Sequence, residues 1–107
     1  MVKKVNYRKL AEGKDCMIRL PGCNGGGTDF DGSSKSCLTH YRLAGYCGTG
    51  MKPDDFIFGA WGCDPCHSLV DGRTTSEHSK DILRLAHSEG IHRTQAEIKK
   101  MRENGEI

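Results

Sequence analysis

The sequence contains little apolar material and no long apolar run. Only 36% of its 107 residues are hydrophobic, and 14 are glycine. A chain of this size and polarity buries little apolar area to offset the conformational entropy lost on folding. Small domains with so thin a core usually carry disulfides or a bound metal. We therefore expect a single domain over residues 1–107 that depends on such a cross-link.

The chain also lacks the segments that direct export or membrane insertion. Its first residues, MVKKVNYRKLAEGKDC, include lysines but not the apolar run that follows them in a signal peptide. No stretch approaches the roughly 20 apolar residues of a transmembrane helix. We expect a cytoplasmic protein with no membrane partner, in a compartment where thiols stay reduced. The six cysteines therefore favour metal binding or chemistry over structural disulfides.

The net charge of +2 has no strong sign, but the basic residues concentrate near the two ends. A nucleic-acid-binding surface is one interpretation of this distribution. A solvated face is the other, and charge alone favours it. The basic residues concerned are Lys3, Lys4, Arg8, Lys9, Lys14, Arg19, Arg93, Lys99, Lys100 and Arg102.

Local patterns predict a loop-rich front half. Asn6 can cap a short helix over residues 6–12, and Pro21-Gly22 predicts a tight turn. Residues 37–43 form one predicted strand. The most apolar run, FIFGAW at 56–61, forms the other.

The last third of the chain has helical patterns and is predicted as a helical extension over 76–107. Ser76 can cap a helix that continues to about Glu89, with Gly90 just past its end. Thr94 and Glu97 form a capping box for a last helix that ends near Gly105.

A Cys-x-x-Cys-His string, Cys63 to His67, can serve three kinds of chemistry. It can attach a c-type haem, cycle as a dithiol, or supply half of a zinc site next to a histidine. The missing export signal weakens the first, and the missing βαβ pattern weakens the second. A second cysteine pair, Cys16 and Cys23, brackets the Pro21-Gly22 turn. The two pairs together favour a four-cysteine structural zinc site.

Two cysteines remain outside these pairs. Cys37 and Cys47 could replace one member of the first pair. They could also act as small hydrophobic residues, and we prefer this interpretation.

Histidine spacing indicates a possible second metal site. If a helix begins at the Cys-x-x-Cys string, His67 and Asp71 stand at positions i and i+4 and share one helix face. An imidazole and a carboxylate so placed can hold a catalytic divalent metal, and His40 could approach it from the first strand. The other histidines are interpreted as polar surface residues. They are His78, His87 and His92.

Four segments together resemble a known family. They are CMIRLPGC at 16–23, LTHYRLAG at 38–45, GTGMKPDD at 48–55 and CDPCHSLVDGRT at 63–74. In this order they resemble the YbcO-like proteins of lambdoid phages and prophages, among the His-Asn-His (HNH) nucleases. The resemblance implies a small α+β fold, a zinc-stapled ββα-metal finger of the treble-clef type over residues 7–75, followed by C-terminal helices.

The resemblance also implies roles for individual residues. The cysteines at 16, 23, 63 and 66 would hold a structural zinc. His40 would be the general base, and His67 would ligate a catalytic Mg²⁺ or Mn²⁺ with Asp71 as its companion. Asp55 stands where the superfamily often has an asparagine that orients the base. Thr39 stands where many relatives have a histidine or aspartate ligand, so the predicted metal shell is one side chain short.

These residues are consistent with hydrolysis of phosphodiester bonds in nucleic acid, with DNA favoured. An imidazole that titrates near neutral pH can deprotonate water. A divalent metal can contact the phosphate and the leaving oxygen, and Arg42 or Arg73 could add phosphate contacts. The alternative is a zinc-knuckle nucleic-acid-binding protein without catalysis, which would keep the cysteines and the basic residues.

Overall fold

The computed structural model describes residues 5–41, 54–72 and 79–107. Within these ranges the fold is small and α+β, as predicted, with one antiparallel pair of strands and three helices. The elements, in chain order, are α1 (Tyr7–Leu10), β1 (Ser36–His40), β2 (Gly59–Cys63), α2 (Asp64–Val70) and α3 (Lys80–Glu103).

Two of the local predictions in the front half are confirmed. The Asn6 side chain caps α1 by accepting a hydrogen bond from the backbone N–H of Lys9. At the Pro21-Gly22 turn, the N–H of Cys23 donates to the carbonyl of Leu20 at 3.0 Å. Gly22 has φ of +88° there, a conformation that glycine adopts without steric cost.

Strands β1 and β2 pair with Ser36 opposite Cys63 and His40 opposite Gly59. All five residues of β2 are buried, so this strand lies between the loop of residues 16–23 and helix α3. Gly62 permits that packing. A Cβ atom at this position would lie 2.7 Å from Thr39 Oγ1 and 2.8 Å from Ile18 Cδ1, closer than atoms can approach.

The second strand starts later than its apolar run predicts, at Gly59 instead of Phe56. Residues 56–58 form a turn because the Asp54 side chain accepts hydrogen bonds from the N–H groups of Phe56 and Ile57. Such side-chain-to-backbone bonds compete with a strand ladder. The turn leaves Ile57 exposed.

Helix α2 follows β2 without an intervening loop. Cys63 is both the last residue of β2 and the N-cap of α2, and Pro65 lies in the first turn, where its missing N–H costs nothing. This direct junction brings Cys63 and Cys66 to the same side of the helix start.

The prediction of two C-terminal helices is wrong. One helix, Lys80–Glu103, covers the region, and its N-cap is Ser79, whose side chain accepts from the N–H of Ile82. Ser76 lies outside the described residues. Gly90, the predicted helix end, is an interior position where a Cβ atom would lie 3.1 Å from the carbonyl oxygen of Met17. Its role is therefore close packing and not termination.

Thr94 is also an interior residue of α3 and not a helix start. Its hydroxyl donates to the carbonyl of Gly90 at 2.8 Å and accepts from the N–H of Trp61 at 2.9 Å. Thr94 thereby ties α3 to the middle of β2 in a buried position. Among the described helices, none combines the length and apolar character needed to cross a bilayer.

Candidate metal centre and catalytic cleft

Four cysteine thiols meet where the loop of residues 16–23 contacts the junction of β2 and α2. Their Sγ atoms all lie within 4.8 Å of one another, and those of Cys23 and Cys63 are 3.5 Å apart. Zinc–sulfur bonds of about 2.3 Å place the ligands of a tetrahedral site roughly 3.8 Å apart. The sulfur donors and their spacing therefore fit a closed structural zinc site. The cluster consists of Cys16, Cys23, Cys63 and Cys66.

The pKa values of these thiols depend on burial and on the hydrogen bonds among them. A hydrogen bond with Cys66 lowers the pKa of Cys16 to about 4, and the same contact raises the pKa of Cys66. Burial raises the pKa of Cys23 to about 11. Cys16 thus favours the thiolate, whereas Cys23 and Cys66 favour the protonated thiol, and a divalent metal can take the place of those protons.

The core is arranged around this cluster. Ile18, Leu20 and Ile91 pack against the cysteines, and a second apolar group forms around Trp61 on the other side of β2. Two hydrogen bonds to the backbone of Met17 hold the loop in place. Its N–H donates to the carbonyl of Trp61 at 2.7 Å, and its carbonyl accepts from the Arg93 guanidinium at 2.7 Å.

A separate cleft of about 500 Å³ lies beside strand β1, between α1 and α2. Both histidines that the sequence assigned to catalysis line it, His40 from the end of β1 and His67 from α2. Among the residues that the structure describes, the lining consists of Arg8, Glu12, Ser34, Ser36, Cys37, Leu38, His40, His67 and Asp71.

His40, which lines the cleft, contacts an acidic side chain. Its Nε2 lies 2.7 Å from Oδ1 of Asp55, and the Nε group of Arg8 lies 3.6 Å from the same oxygen. Because a carboxylate only accepts hydrogen bonds, Nε2 carries the hydrogen and Nδ1 presents its lone pair. The structure thus brings together His40 and Asp55, and the predicted role of Asp55 in orienting His40 stays a prediction.

His67 uses both ring nitrogens. Nε2 lies 2.7 Å from Oδ2 of Asp71, one helical turn along the chain, and Nδ1 lies 3.1 Å from Sγ of Cys37. Cys37 is therefore not part of the four-cysteine cluster, nor does it act only as a small hydrophobic residue. It stands on β1, in the cleft.

A basic residue near the C-terminus contacts helix α1. Arg102 of α3 donates to the hydroxyl of Tyr7 and stands over the ring of Phe56, 5.6 Å from its centroid. Others are engaged with acidic neighbours on α3, such as Arg93 with Glu89 at 2.9 Å. Of the basic residues that the structure describes, Arg8 of α1 lines the cleft.

Comparison with known proteins identifies the family to which the chain belongs. The family model described as "Putative nuclease YbcO" matches residues 5–103. The chain belongs to the YbcO family. It is 42% identical over 91 residues to proteins described as "Putative nuclease YbcO" in Escherichia coli K12 and "Putative nuclease ybcO" in Enterobacteria phage 82, covering 84% of this chain and 86% of each relative.

A solved structure described as that of "a putative bacteriophage protein" from Escherichia coli K-12 has the same overall fold. The TM-score is 0.65 at 31% sequence identity, covering 94% of this chain and all of the other. The expected resemblance to YbcO-like proteins is thus confirmed at the level of the family.

Several predicted residues of this YbcO family member lie outside the described parts of the chain. These are the expected phosphate contacts Arg42 and Arg73, the leftover Cys47, and His78. Their predicted roles stay predictions.

His87 was misjudged as a surface residue. It is 5% exposed, and its Nε2 lies 3.0 Å from the carbonyl oxygen of Thr39, directly behind the strand that carries His40. Its ring also contacts that of Tyr41 at a centroid distance of 5.3 Å. The spacing of His87 with the buried Ile91, four residues on along α3, was the available signal.

Burial of His87 predicts a loss of stability in mild acid. Desolvation lowers the pKa of His87, so the unfolded chain takes up this proton at a pH where the folded chain does not. The contribution of His87 is therefore fully present above the ordinary histidine pKa of about 6.5 and declines as the pH falls below it. We expect the free energy of unfolding in urea to fall more between pH 7.5 and 5.5 for wild type than for His87→Gln.

The matched control is His92→Gln, because His92 is an exposed histidine on the same helix. This control should keep the wild-type pH dependence, with all proteins measured in the same zinc-supplemented buffer. Parallel pH profiles for wild type and His87→Gln would show that the buried imidazole is not the cause.

Proposed function

We propose that the protein is a metal-dependent nuclease that hydrolyses phosphodiester bonds, with DNA the favoured substrate, on an HNH-like ββα core. The observation that carries the proposal is the shared cleft, in which His40 from β1 and His67 from α2 line one space. The order of β1, β2 and α2 along the chain is that of a ββα finger. The family description as a nuclease supports the same reaction class.

In this proposal His40 is the general base. The contact with Asp55 holds the ring through Nε2, which leaves Nδ1 to accept a proton from a water molecule. The carboxylate also stabilises the imidazolium that forms. The guanidinium of Arg8 also contacts this carboxylate, with Nε 3.6 Å from the same oxygen.

His67 is the protein ligand of the catalytic metal. A bound divalent ion would supply charge stabilisation at the scissile phosphate and the leaving oxygen. The imidazole of His67 is already oriented by Asp71 at 2.7 Å, so little side-chain freedom is lost when the ion binds. Arg8 lines the same cleft and can contact a phosphate group, as we also propose for Arg42 and Arg73.

Substrate binding through backbone phosphates fits the charges near the cleft. Arg8, Lys9 and Arg102 lie on α1 and on the part of α3 that contacts it. Phosphate contacts carry no sequence information, and they weaken at higher salt because the release of counterions on binding is then less favourable. We expect weakly sequence-specific binding whose affinity falls with ionic strength.

A plasmid-nicking assay tests the proposal. Zinc-loaded protein is incubated with supercoiled plasmid and with single-stranded RNA in the presence of Mg²⁺, Mn²⁺, Co²⁺ or Zn²⁺, and with EDTA as control. Conversion to the nicked circle with at least one of these ions, but not with EDTA, is the expected result. Absence of cleavage of either nucleic acid with every ion would contradict the proposal.

A zinc-knuckle nucleic-acid-binding protein without catalysis is the second candidate. It is favoured by Thr39, which occupies the position of an expected metal ligand but is fully buried and cannot reach the cleft. Salt-dependent retention of DNA on a gel without any cleavage would favour this candidate.

A further inference from the structure

The side chains of Cys37, His67 and Asp71 form a chain of contacts in the cleft. Cys37 Sγ lies 3.1 Å from one nitrogen of His67, and Asp71 Oδ2 lies 2.7 Å from the other. Since the carboxylate can only accept, the hydrogen of a neutral ring is on Nε2 and the lone pair is on Nδ1. That lone pair therefore points towards the cysteine sulfur.

We propose that Cys37 Sγ and His67 Nδ1 bind one divalent ion of the borderline class, such as Co²⁺ or Zn²⁺, and that Asp71 orients His67 without touching the ion. As the metal site of the nuclease, this assignment rests on the proposed function. As a binding site, it stands on the geometry of the three side chains.

The separation of the two donors is compatible with a shared ion. Zinc–sulfur and zinc–nitrogen bonds are about 2.3 and 2.0–2.1 Å long, and together they span more than the 3.1 Å between Sγ and Nδ1. The two side chains come from different elements, β1 and α2, and both line the open cleft. An ion held by them would keep coordination positions for water and for a phosphate oxygen.

Asp71 has a different role from the one that its spacing predicts. Its carboxylate is on the Nε2 side of the ring, opposite the nitrogen that faces Cys37, so it cannot contact an ion at Nδ1. Metal-binding histidines commonly donate their other N–H to a carboxylate, which fixes the tautomer and the ring orientation. His67 and Asp71 have this arrangement.

In this proposal Cys37 supplies the metal ligand that was expected at position 39, where this chain has Thr39. Residues two apart on a strand share a face, and Sγ of Cys37 lies 3.9 Å from Oγ1 of Thr39. Thr39 is fully buried, whereas Cys37 is partly exposed at the cleft. The proposed metal ligand thus lies two residues before the expected position, at the start of β1.

The identity of the donors predicts which metal binds. Thiolate and imidazole ligands favour Zn²⁺ and Co²⁺, whereas Mg²⁺ and Mn²⁺ favour oxygen. The sequence expectation of Mg²⁺ or Mn²⁺ relied on Asp71 as a ligand. With Cys37 in its place, the cleft should bind Co²⁺ at least tenfold more tightly than Mg²⁺.

Titration of the zinc-loaded protein with Co²⁺ tests the site without measuring activity. We expect a near-ultraviolet thiolate-to-cobalt absorption band to appear with one added equivalent while the original zinc is retained. Cys37→Ser should lose this band and bind Co²⁺ at least tenfold more weakly. Asp71→Asn should keep the band, with affinity lower by about 10- to 100-fold.

Zinc content after gel filtration shows in each sample that the cysteine cluster is intact, and Cys37→Ala serves as a second substitution. An unchanged cobalt band in Cys37→Ser, or no cobalt binding by zinc-loaded wild type, would overturn the assignment. The nuclease proposal fails separately. A cobalt site without nicking refutes only catalysis, and wild-type nicking by Cys37→Ser with Mg²⁺ refutes only the role of Cys37.

Discussion

Cys66→Ser is expected to abolish the cooperative unfolding transition of the protein. The substitution removes one of four sulfur donors from a cluster around which the main apolar core is built. Structural zinc contributes roughly 10–16 kcal/mol of apparent binding energy in small zinc-dependent domains. That is as large as the whole stability of a typical domain, and this core has little else to compensate. Circular dichroism during heating, with zinc content measured on the same sample, gives the result.

The chain provides a matched cysteine control. Cys37→Ser replaces a thiol outside the cluster and should retain the structural zinc and a cooperative transition. Treatment of wild type with a strong chelator should reproduce the effect of Cys66→Ser. If Cys66→Ser keeps the wild-type zinc content and transition temperature, the cluster does not support the fold through a metal.

The four-cysteine cluster could be predicted because its signals are local. Cys63 and Cys66 are separated by two residues at a strand-to-helix junction, and Pro65 favours the first turn of a helix. The other pair brackets a proline-glycine turn, which bends the chain back on itself whatever its surroundings. Only the meeting of the two pairs needs tertiary structure, and it is expected because structural zinc sites commonly take their cysteine ligands as closely spaced pairs.

The strand and helix boundaries depended on interactions that sequence patterns do not report. Gly90 fits a helix end by its residue type, yet α3 passes through it because the Met17 backbone packs there. Thr94 fits an N-cap, yet its hydroxyl bonds within the helix and to β2. In both cases a small or polar residue serves close packing between elements that are far apart in the sequence.

In the candidate site, too, some contacts follow from local spacing and others depend on the tertiary structure. The relation of His67 to Asp71 follows from helical spacing and was expected. The contact of His67 with Cys37 joins residues 30 positions apart and depends on how β1 lies against α2. The burial of His87 likewise depends on the strand beneath α3. Helical spacing and the family resemblance indicated that His40, His67 and Asp71 lie together, whereas no sequence pattern indicated the contact of Cys37 or the burial of His87.

His40→Ala is expected to reduce the rate of plasmid nicking by about 10²- to 10⁴-fold, the usual contribution of a general base. This loss corresponds to about 3–5 kcal/mol of activation free energy. His40 ends β1 and is partly exposed at the cleft, so its truncation should not affect the zinc content or the thermal transition. Single-turnover nicking rates at saturating metal provide the measurement. His92→Ala is the control for the loss of an exposed histidine.

Substitutions of Asp55 separate the base from its orienting partner. Asp55→Asn keeps an oxygen that can accept from Nε2 of His40 and should lose less activity than Asp55→Ala. Both variants should remain more active than His40→Ala, because the imidazole itself is still present. Nicking by His40→Ala at the wild-type rate would exclude His40 as the base while leaving the nuclease activity in place. If Asp55→Asn loses as much activity as His40→Ala, the carboxylate takes part in the reaction itself, because the amide oxygen of asparagine can still orient the ring of His40.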